Sequence, residues 1–349
     1  MEFRIDSNIC TASTLPGSFY TDPQVYNTLL EQTIAPSWQL LPLDVKDGQS
    51  IPTTLLPGSI NEPIILSRNE GTLHCFSNVC THRAALLLTE PCEDRSIRCR
   101  YHGRRFQKDG TFISMPNFTG ACDFPSDREN LPTLAQGNLG PLQFVSLDPK
   151  VSFQEWSAPL VSELPSFDWS QLPSAPQRTK TYTVNAHWAL YCDNYLEGLH
   201  VPFVHPSLNR SIQLDSYETK LFPWGTLQTA DASPSDNERI NGKAAYYFWL
   251  YPNIMLNIYP WGLSVNRVLP MGISKTQVEF HEYIVNEDLR KIGAGGDLDT
   301  VELEDEAVVE LVQKGVRSRL YKRGRFSPQH EKGVHAFHQL LAADLTPTI

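Results

Sequence analysis

The sequence predicts an α+β protein in two units. The first is a small antiparallel β domain, and the second has an antiparallel sheet with helices beside it. Three observations predict this. Residues 38–148 read as short strands separated by hairpin turns. A stretch rich in Pro and Ser, 149–176, then interrupts the pattern. Beyond it, helical segments flank a run of strand-like alternation at 244–285.

Residues 22–34 have the spacing of one amphipathic helix. Pro23 stands near its start, Val25, Leu29 and Leu30 share a face, and Pro36 stops it. In the β region, Ile64-Ile65-Leu66 leads through the turn Asn69-Glu70-Gly71 to Leu73–Phe76, and Lys108-Asp109-Gly110 marks a second hairpin. Pro149, Pro159, Pro165, Pro173 and Pro176 mark a connection between domains. A strand is expected at Tyr182–Val184, a helix from about Trp188 to His200, strands including Met255–Tyr259 and Thr276–Ile284, and a last helix from about Thr300 to Tyr321. The domains expected are therefore an N-terminal helical segment at 1–37, a β domain at 38–150 and an α+β domain at 151–349. No internal repeat is present.

The formal charge of −10 and the lack of a Lys/Arg cluster argue against nucleic acid, whose phosphates dominate binding. No apolar run approaches the roughly 20 residues that span a bilayer. The first residues lack a basic-then-apolar leader pattern, which predicts a cytoplasmic protein without a membrane partner. Seven cysteines scattered over 349 residues do not suggest a disulfide framework.

Two cysteines belong to a pattern: Cys80-Thr81-His82 and Cys99-Arg100-Tyr101-His102, with 16 residues between the pairs. Each pair follows a predicted strand, so two loops can face each other across a metal centre. Zinc accepts two Cys and two His, usually with wider His spacing. A [2Fe–2S] cluster also accepts them, with the thiolates on one iron and the imidazoles on the other. The stretch Cys80-Thr81-His82-Arg83 with Cys99-Arg100-Tyr101-His102-Gly103 resembles the Rieske domain family over about residues 38–148. Ala84 and Arg104 stand where many members have Gly and Trp.

The second constellation is Asn194, Glu197, His200 and His205. On a helix Asp193, Glu197 and His200 share a face. Pro202 is expected to break that helix and return His205 to the same side. Two His and one carboxylate form the facial triad of Fe(II) oxygenases, which leaves positions open for O₂. The late helix offers Asp305, in line with Val301, Val308 and Val312, although spacing leaves Glu304 open as well.

The order of these motifs, over nearly the whole chain, resembles the catalytic α subunits of Rieske non-haem iron oxygenases. The resemblance implies a helix-grip catalytic domain with a large antiparallel sheet. It implies a [2Fe–2S] cluster on Cys80, His82, Cys99 and His102, and a mononuclear Fe(II) on His200, His205 and Asp305. It implies Glu197 as a bridging acid, through which the cluster of one subunit of a trimer or hexamer passes electrons to the iron of the next. Glu at this place, with Gln313-Lys314-Gly315, Tyr321–Phe326 and Glu331, is similar to oxygenases of choline, carnitine and related quaternary amines. Since no Gly-rich dinucleotide fingerprint is present, NAD(P)H electrons are expected through a separate reductase or ferredoxin.

Candidate aromatics for a substrate pocket are Tyr191, Phe203, Phe248, Trp249, Tyr251, Tyr259 and Trp261, several of which could cage a cation. The expected activity is O₂-dependent monooxygenation, ending in hydroxylation or N-demethylation. A ring-hydroxylating dioxygenase is the nearest alternative. A pure electron-transfer Rieske protein, a structural zinc protein and a START-like binding module each explain only part of the pattern.

Overall fold

A computed structural model describes residues 3–233 and 239–346. Helix α1 (Pro23–Leu29) is capped by Asp22, whose Oδ1 accepts from Gln24 N at 2.8 Å. Pro23 fills the first turn, where its missing N–H costs nothing. The segment expected to continue as the same helix widens instead over Leu30–Ile34, closed by Ala35 N to Leu30 O at 2.8 Å. Tyr26, Leu29 and Ile34 are buried, and with Leu15 and Phe19 they join one core with Trp188, Leu190 and Phe337. The N-terminal segment is thus packed against the second half of the chain.

Nine short strands follow: β1 (Gln39–Leu41), β2 (Ser50–Leu55), β3 (Glu62–Asn69), β4 (Thr72–Ser77), β5 (Ile97–Arg98), β6 (Arg105–Phe106), β7 (Phe112–Ser114), β8 (Ala135–Leu139) and β9 (Leu142–Ser146). They form three antiparallel sheets, ordered β2-β3-β4, β5-β6-β7 and β1-β9-β8. The first expected hairpin is present: Asn69 pairs with Thr72, and Glu70 and Gly71 both take the positive φ that a tight two-residue turn requires. The second closes with Gln107 N to Thr111 O at 2.7 Å.

The Pro/Ser-rich stretch is more than a connection. It contains α2 (Phe153–Glu163), which starts at a Ser152 cap. Phe153, Trp156 and Leu160 are buried at i, i+3 and i+7, an apolar spacing that outweighs Pro159 inside the helix. Trp156 Nε1 donates to Tyr251 O at 2.9 Å, tying this helix to the large sheet. Its core also includes Phe144 from β9 and Phe248, so the two units share one hydrophobic interior.

The second half is one seven-stranded antiparallel sheet. Its strands are β10 (Arg178–Val184), β11 (Ile212–Phe222), β12 (Gly225–Ala232), β13 (Lys243–Leu250), β14 (Ile254–Tyr259), β15 (Gly262–Gly272) and β16 (Lys275–Ile284). The order is β10-β16-β15-β14-β13-β12-β11, so β11 to β16 form successive hairpins and β10 pairs with the last. Helices α3 (Trp188–Tyr195), α4 (Val201–Val204) and α5 (Pro206–Ser211) lie between β10 and β11 in the chain. Helices α6 (Leu298–Gly315) and α7 (Lys332–Asp344) follow the sheet. Among the described residues, no helix is long and apolar enough to cross a membrane.

Two helical expectations need correction. The helix expected over 188–200 ends at Tyr195, and the chain turns through Gly198. The break therefore lies before Pro202, which sits in the first turn of α4 where proline is tolerated. The late helix runs from Leu298 to Gly315 and stops short of Tyr321. Its buried face is Glu302, Val309, Gln313 and Val316, whereas Val312 of the expected stripe is 43% exposed. Helix α7 was not anticipated, although Val334, Phe337, His338 and Leu341 carry the i, i+3, i+4, i+7 spacing.

Candidate active site

The loop after β4 carries Cys80 and His82, and the loop between β5 and β6 carries Cys99 and His102. Backbone bonds tighten both loops alike: Ala84 N donates to Cys80 O and Gly103 N to Cys99 O, each at 3.0 Å. Both cysteines are buried. The rings of His82 and His102 meet edge to face with centroids 4.7 Å apart. In each ring Nδ1 is buried without a hydrogen-bond partner. Two buried thiols opposite two partnerless imidazole nitrogens form a donor set that fits a [2Fe–2S] cluster with mixed ligation.

The second group comes from α3, the loop after it, α4 and α6. His200 and His205 flank the single turn α4, and their rings meet edge to face with centroids 5.1 Å apart despite the five-residue spacing. Oδ1 of Asp305 lies 2.9 Å from His205 Nε2 and 3.5 Å from His200 Nε2. It also accepts from Asn194 Nδ2 at 2.9 Å. Atoms of His200, His205 and Asp305 converge within 4.8 Å of one another, the geometry of a facial triad.

Each imidazole has a carboxylate behind it. Glu197 Oε1 lies 2.6 Å from His200 Nδ1, and its Oε2 accepts from the backbone N–H groups of Leu199 and His200. Glu304 Oε2 lies 2.7 Å from His205 Nδ1. Such partners fix the ring orientation and leave Nε2 free to bind a metal. Desolvation opposes charge on the buried His205, but the hydrogen bonds to Asp305 and Glu304 prevail and raise its pKa. Gly198 is required by close approach, since a Cβ there would lie 2.5 Å from the Tyr217 ring.

The triad opens onto a cavity of about 110 Å³ between α3, α6 and the sheet. Of the aromatics expected there, Tyr191 and Tyr259 line it. Phe203 does not: it is 83% exposed on the outer side of α4. Trp249 and Tyr251 pack against Phe337 in the core, Phe248 belongs to the core around Trp156, and Trp261 stacks behind Tyr259. The other aromatic walls are Tyr195, Tyr217, Tyr247 and Phe280. Glu302 also lines the cavity. Its Oε2 accepts from Tyr191 Oη at 2.6 Å, while its buried Oε1 has no partner. Burial holds the Glu302 pKa well above the carboxylate range.

Comparison with known proteins agrees with this geometry. Residues 42–131 match the Rieske [2Fe–2S] domain, and residues 174–346 match the ring hydroxylating alpha subunit catalytic domain. Choline monooxygenase of Arabidopsis thaliana is 30% identical over 358 residues, spanning 96% of this chain and 83% of the plant protein. The carnitine monooxygenase oxygenase subunit of Escherichia coli K12 is 30% identical over 373 residues, covering 98% of this chain and 97% of its own.

The chain belongs to the Rieske oxygenase α subunits.

Solved structures of this family have the same fold. The quaternary ammonium Rieske monooxygenase CntA with L-carnitine superposes with a TM-score of 0.78 at 24% identity, covering 97% of each chain. Naphthalene 1,2-dioxygenase from Rhodococcus sp. gives 0.70 at 16% identity, over 95% of this chain and 93% of its own. As a Rieske oxygenase, the protein uses a [2Fe–2S] cluster, a mononuclear non-haem iron and O₂.

The two departures from the common Rieske pattern have structural consequences. Ala84 takes a φ of +54°, a conformation that costs a side-chain-bearing residue about 1–2 kcal/mol. Arg104 is buried with its guanidinium 4.9 Å from the centre of the Phe112 ring, filling an aromatic site as a flat cation. Its charge favours the Cys80 thiolate, against the dominant effect of burial, which raises that thiol's pKa.

Sequence reasoning passed over Glu302, Tyr195, Tyr217, Tyr247 and Phe280, and treated Glu304 only as a rival ligand. Strand alternation places Tyr247 and Phe280 on a face, but which face meets the cavity depends on where α3 and α6 cross the sheet.

Proposed function

We propose that this Rieske oxygenase is a monooxygenase acting on a quaternary or N-methyl amine, with hydroxylation or demethylation as the outcome. The observation that carries this reading is the cavity: the triad faces a chamber walled by tyrosine rings and a buried carboxylate. Ring faces attract an ammonium group. The relatives named choline and carnitine monooxygenases support the same substrate class.

In this proposal residues 38–150 hold the cluster through Cys80, Cys99 and the Nδ1 atoms of His82 and His102. Residues 151–349 hold Fe(II) through His200, His205 and Asp305, and residues 1–37 pack on that domain. When bound, these groups store electrons and activate O₂ at open iron positions. The balance is one C–H bond, O₂, two electrons and two protons giving one C–OH and one water. NAD(P)H supplies the electrons through a separate reductase or ferredoxin.

The chain's own residues orient this chemistry. Glu304 fixes His205 and Asn194 fixes Asp305. His82 and His102 are only partly covered, so their outer edges are open to a neighbouring subunit of a trimer or hexamer. Glu197, already bonded to His200, accepts the second hydrogen bond from such a histidine. CntA, a protein of this fold, has been linked to inter-subunit electron transfer.

The test begins with metal analysis of anaerobically purified protein, with about three iron and two sulfide per chain expected. Product formation is then followed for quaternary amines, N-methyl amines and neutral aromatics. Product from neutral aromatics alone refutes the substrate class. Glu197→Ala should keep both metal centres but uncouple cluster oxidation from turnover; full steady-state activity in that variant refutes the bridging role.

A further inference from the structure

We infer that Arg104 sets the redox poise of the first site: buried beside the cluster loops, its fixed positive charge raises the reduction potential of the [2Fe–2S] cluster above that of the same fold with the tryptophan many members carry there. This rests on the ligation by Cys80, His82, Cys99 and His102 set out above.

Arg104 is 3% exposed and stands two residues after His102. Its backbone O accepts from Cys99 N at 2.8 Å, which closes the second loop. Three rings surround the guanidinium, whose carbon lies 4.9 Å from the centre of Phe112, 5.8 Å from Phe124 and 6.0 Å from Phe106. Ring faces attract the cation but supply no counter-charge. Its ion-pair contact among the described residues is with Glu129, at 4.0 Å from Nη2 to Oε1, the outer limit of such a pair. The other Glu129 oxygen accepts from the N and Oγ of Ser126. The Glu129 side chain is 16% exposed, so solvent screens its charge more than that of Arg104. A buried cation is therefore only partly balanced. Its Nε is also buried without a partner, the same condition as Nδ1 of His82 and His102. An orphan donor on a buried cation is costly. In these loops the electron-rich group that offsets it is the cluster.

Although Arg104 belongs to the second loop, its charge acts on Cys80 and His82 of the first. The other arginine acting on His82 is Arg83, which is exposed over the Tyr101 ring, where water and salt screen it. Reduction by the reductase adds one electron, so the charge of the cluster with its ligands falls by one. A fixed cation stabilises that reduced form more than the oxidised one, and net charge is one of the levers that set such potentials. At an effective dielectric of about 20, a unit charge within about 10 Å changes a one-electron equilibrium by about tenfold. The cluster then fills from a milder donor and passes its electron on with less driving force.

The test is an anaerobic redox titration of the holoenzyme, followed by the visible circular dichroism and EPR of the cluster. Arg104→Trp should lower the equilibrium constant for reduction by at least about tenfold, a downward shift of about 59 mV for one electron. Sulfide should stay at about two per chain. Arg104→Lys, which keeps the charge, should stay within about threefold of the parent. Glu129→Gln removes the partial counter-charge but keeps the backbone O that accepts from Thr81 Oγ1 at 2.8 Å. It should shift the equilibrium the other way, by at least about twofold. The inference is overturned if Arg104→Trp stays within about twofold of the parent or rises above it, or if Arg104→Lys falls as far as Arg104→Trp. If Arg104→Trp fails to hold its cluster, Glu129→Gln decides: an unchanged or lowered potential there refutes the role of the Arg104 charge. A parent protein without acid-labile sulfide is a separate failure, because it removes the ligation itself and this inference with it.

Discussion

Lowering the pH from 7 to 5 should destabilise the fold by about 2 kcal/mol through His187 alone. This residue caps α3, the helix that carries Asn194 into the site: its Nδ1 accepts from Ala189 N at 3.2 Å. The ring is completely buried among Phe19, Tyr20, Tyr26 and Trp188, and its Nε2 has no partner. Burial lowers its pKa from 6.5 to about 3. Above pH 6.5 the imidazole is neutral in both folded and unfolded chains and contributes no pH dependence. Below that, the unfolded chain takes up a proton that the folded one refuses, so stability falls as pH falls, by up to about 1.4 kcal/mol per unit, until about pH 3. Integrated from pH 7 to pH 5, one such group gives about 2 kcal/mol, with a ceiling near 5 kcal/mol. The assay is urea denaturation at several pH values, comparing the parent with His187→Asn at matched concentration and metal content. Asn keeps an acceptor at the cap but does not titrate. The gap between the two stability curves should change by about 2 kcal/mol over this range. Parallel curves would show that the fold accommodates the imidazolium, and the burial argument would be wrong.

Two further perturbations address the metal sites. Glu304→Ala removes the partner of His205 Nδ1 and should weaken iron retention about 10- to 100-fold while leaving the cluster intact, as measured by iron release to a chelator. Equal retention would mean that Asn194 and Asp305 suffice to hold His205. Ala84→Gly should raise stability by about 1 kcal/mol, because it relieves a positive φ at some cost in backbone freedom. A lower urea midpoint would show that the Ala84 methyl group contributes packing beside Cys80 that outweighs the strain.

Much of the architecture was legible because it rests on short-range signals. The Asn69-Glu70-Gly71 turn, the strand alternation after Lys243 and the Cys80/His82 and Cys99/His102 loops each need only a few adjacent residues. What was missed depends on contacts across the fold. The prolines near α2 read as a linker, because the burial of Trp156 becomes visible only once Tyr251 accepts its N–H. Phe203 and Trp249 were equally plausible as pocket walls until the fold put one in solvent and the other against Phe337. The break after Tyr195 was placed too late, because proline announces itself in sequence whereas Gly198 matters through its approach to Tyr217.

Helix α6 shows why spacing could not choose between its acids. Successive helical residues are rotated by about 100°. Glu302 and Asp305 therefore lie close on one face, and both reach the cavity, one bonded to Tyr191 and the other at the triad. Glu304 is turned away from Asp305 by one such step, which brings it behind His205 instead of in front of it. In the proposed roles, Asp305 thus binds a metal and Glu304 orients a ligand, while Glu302 holds Tyr191 at the cavity wall. Their shared acidity also limits them: burial, with the neighbouring Asp305 charge adding to it, holds Glu302 well above the carboxylate range, so it stands beside the triad as a neutral acid.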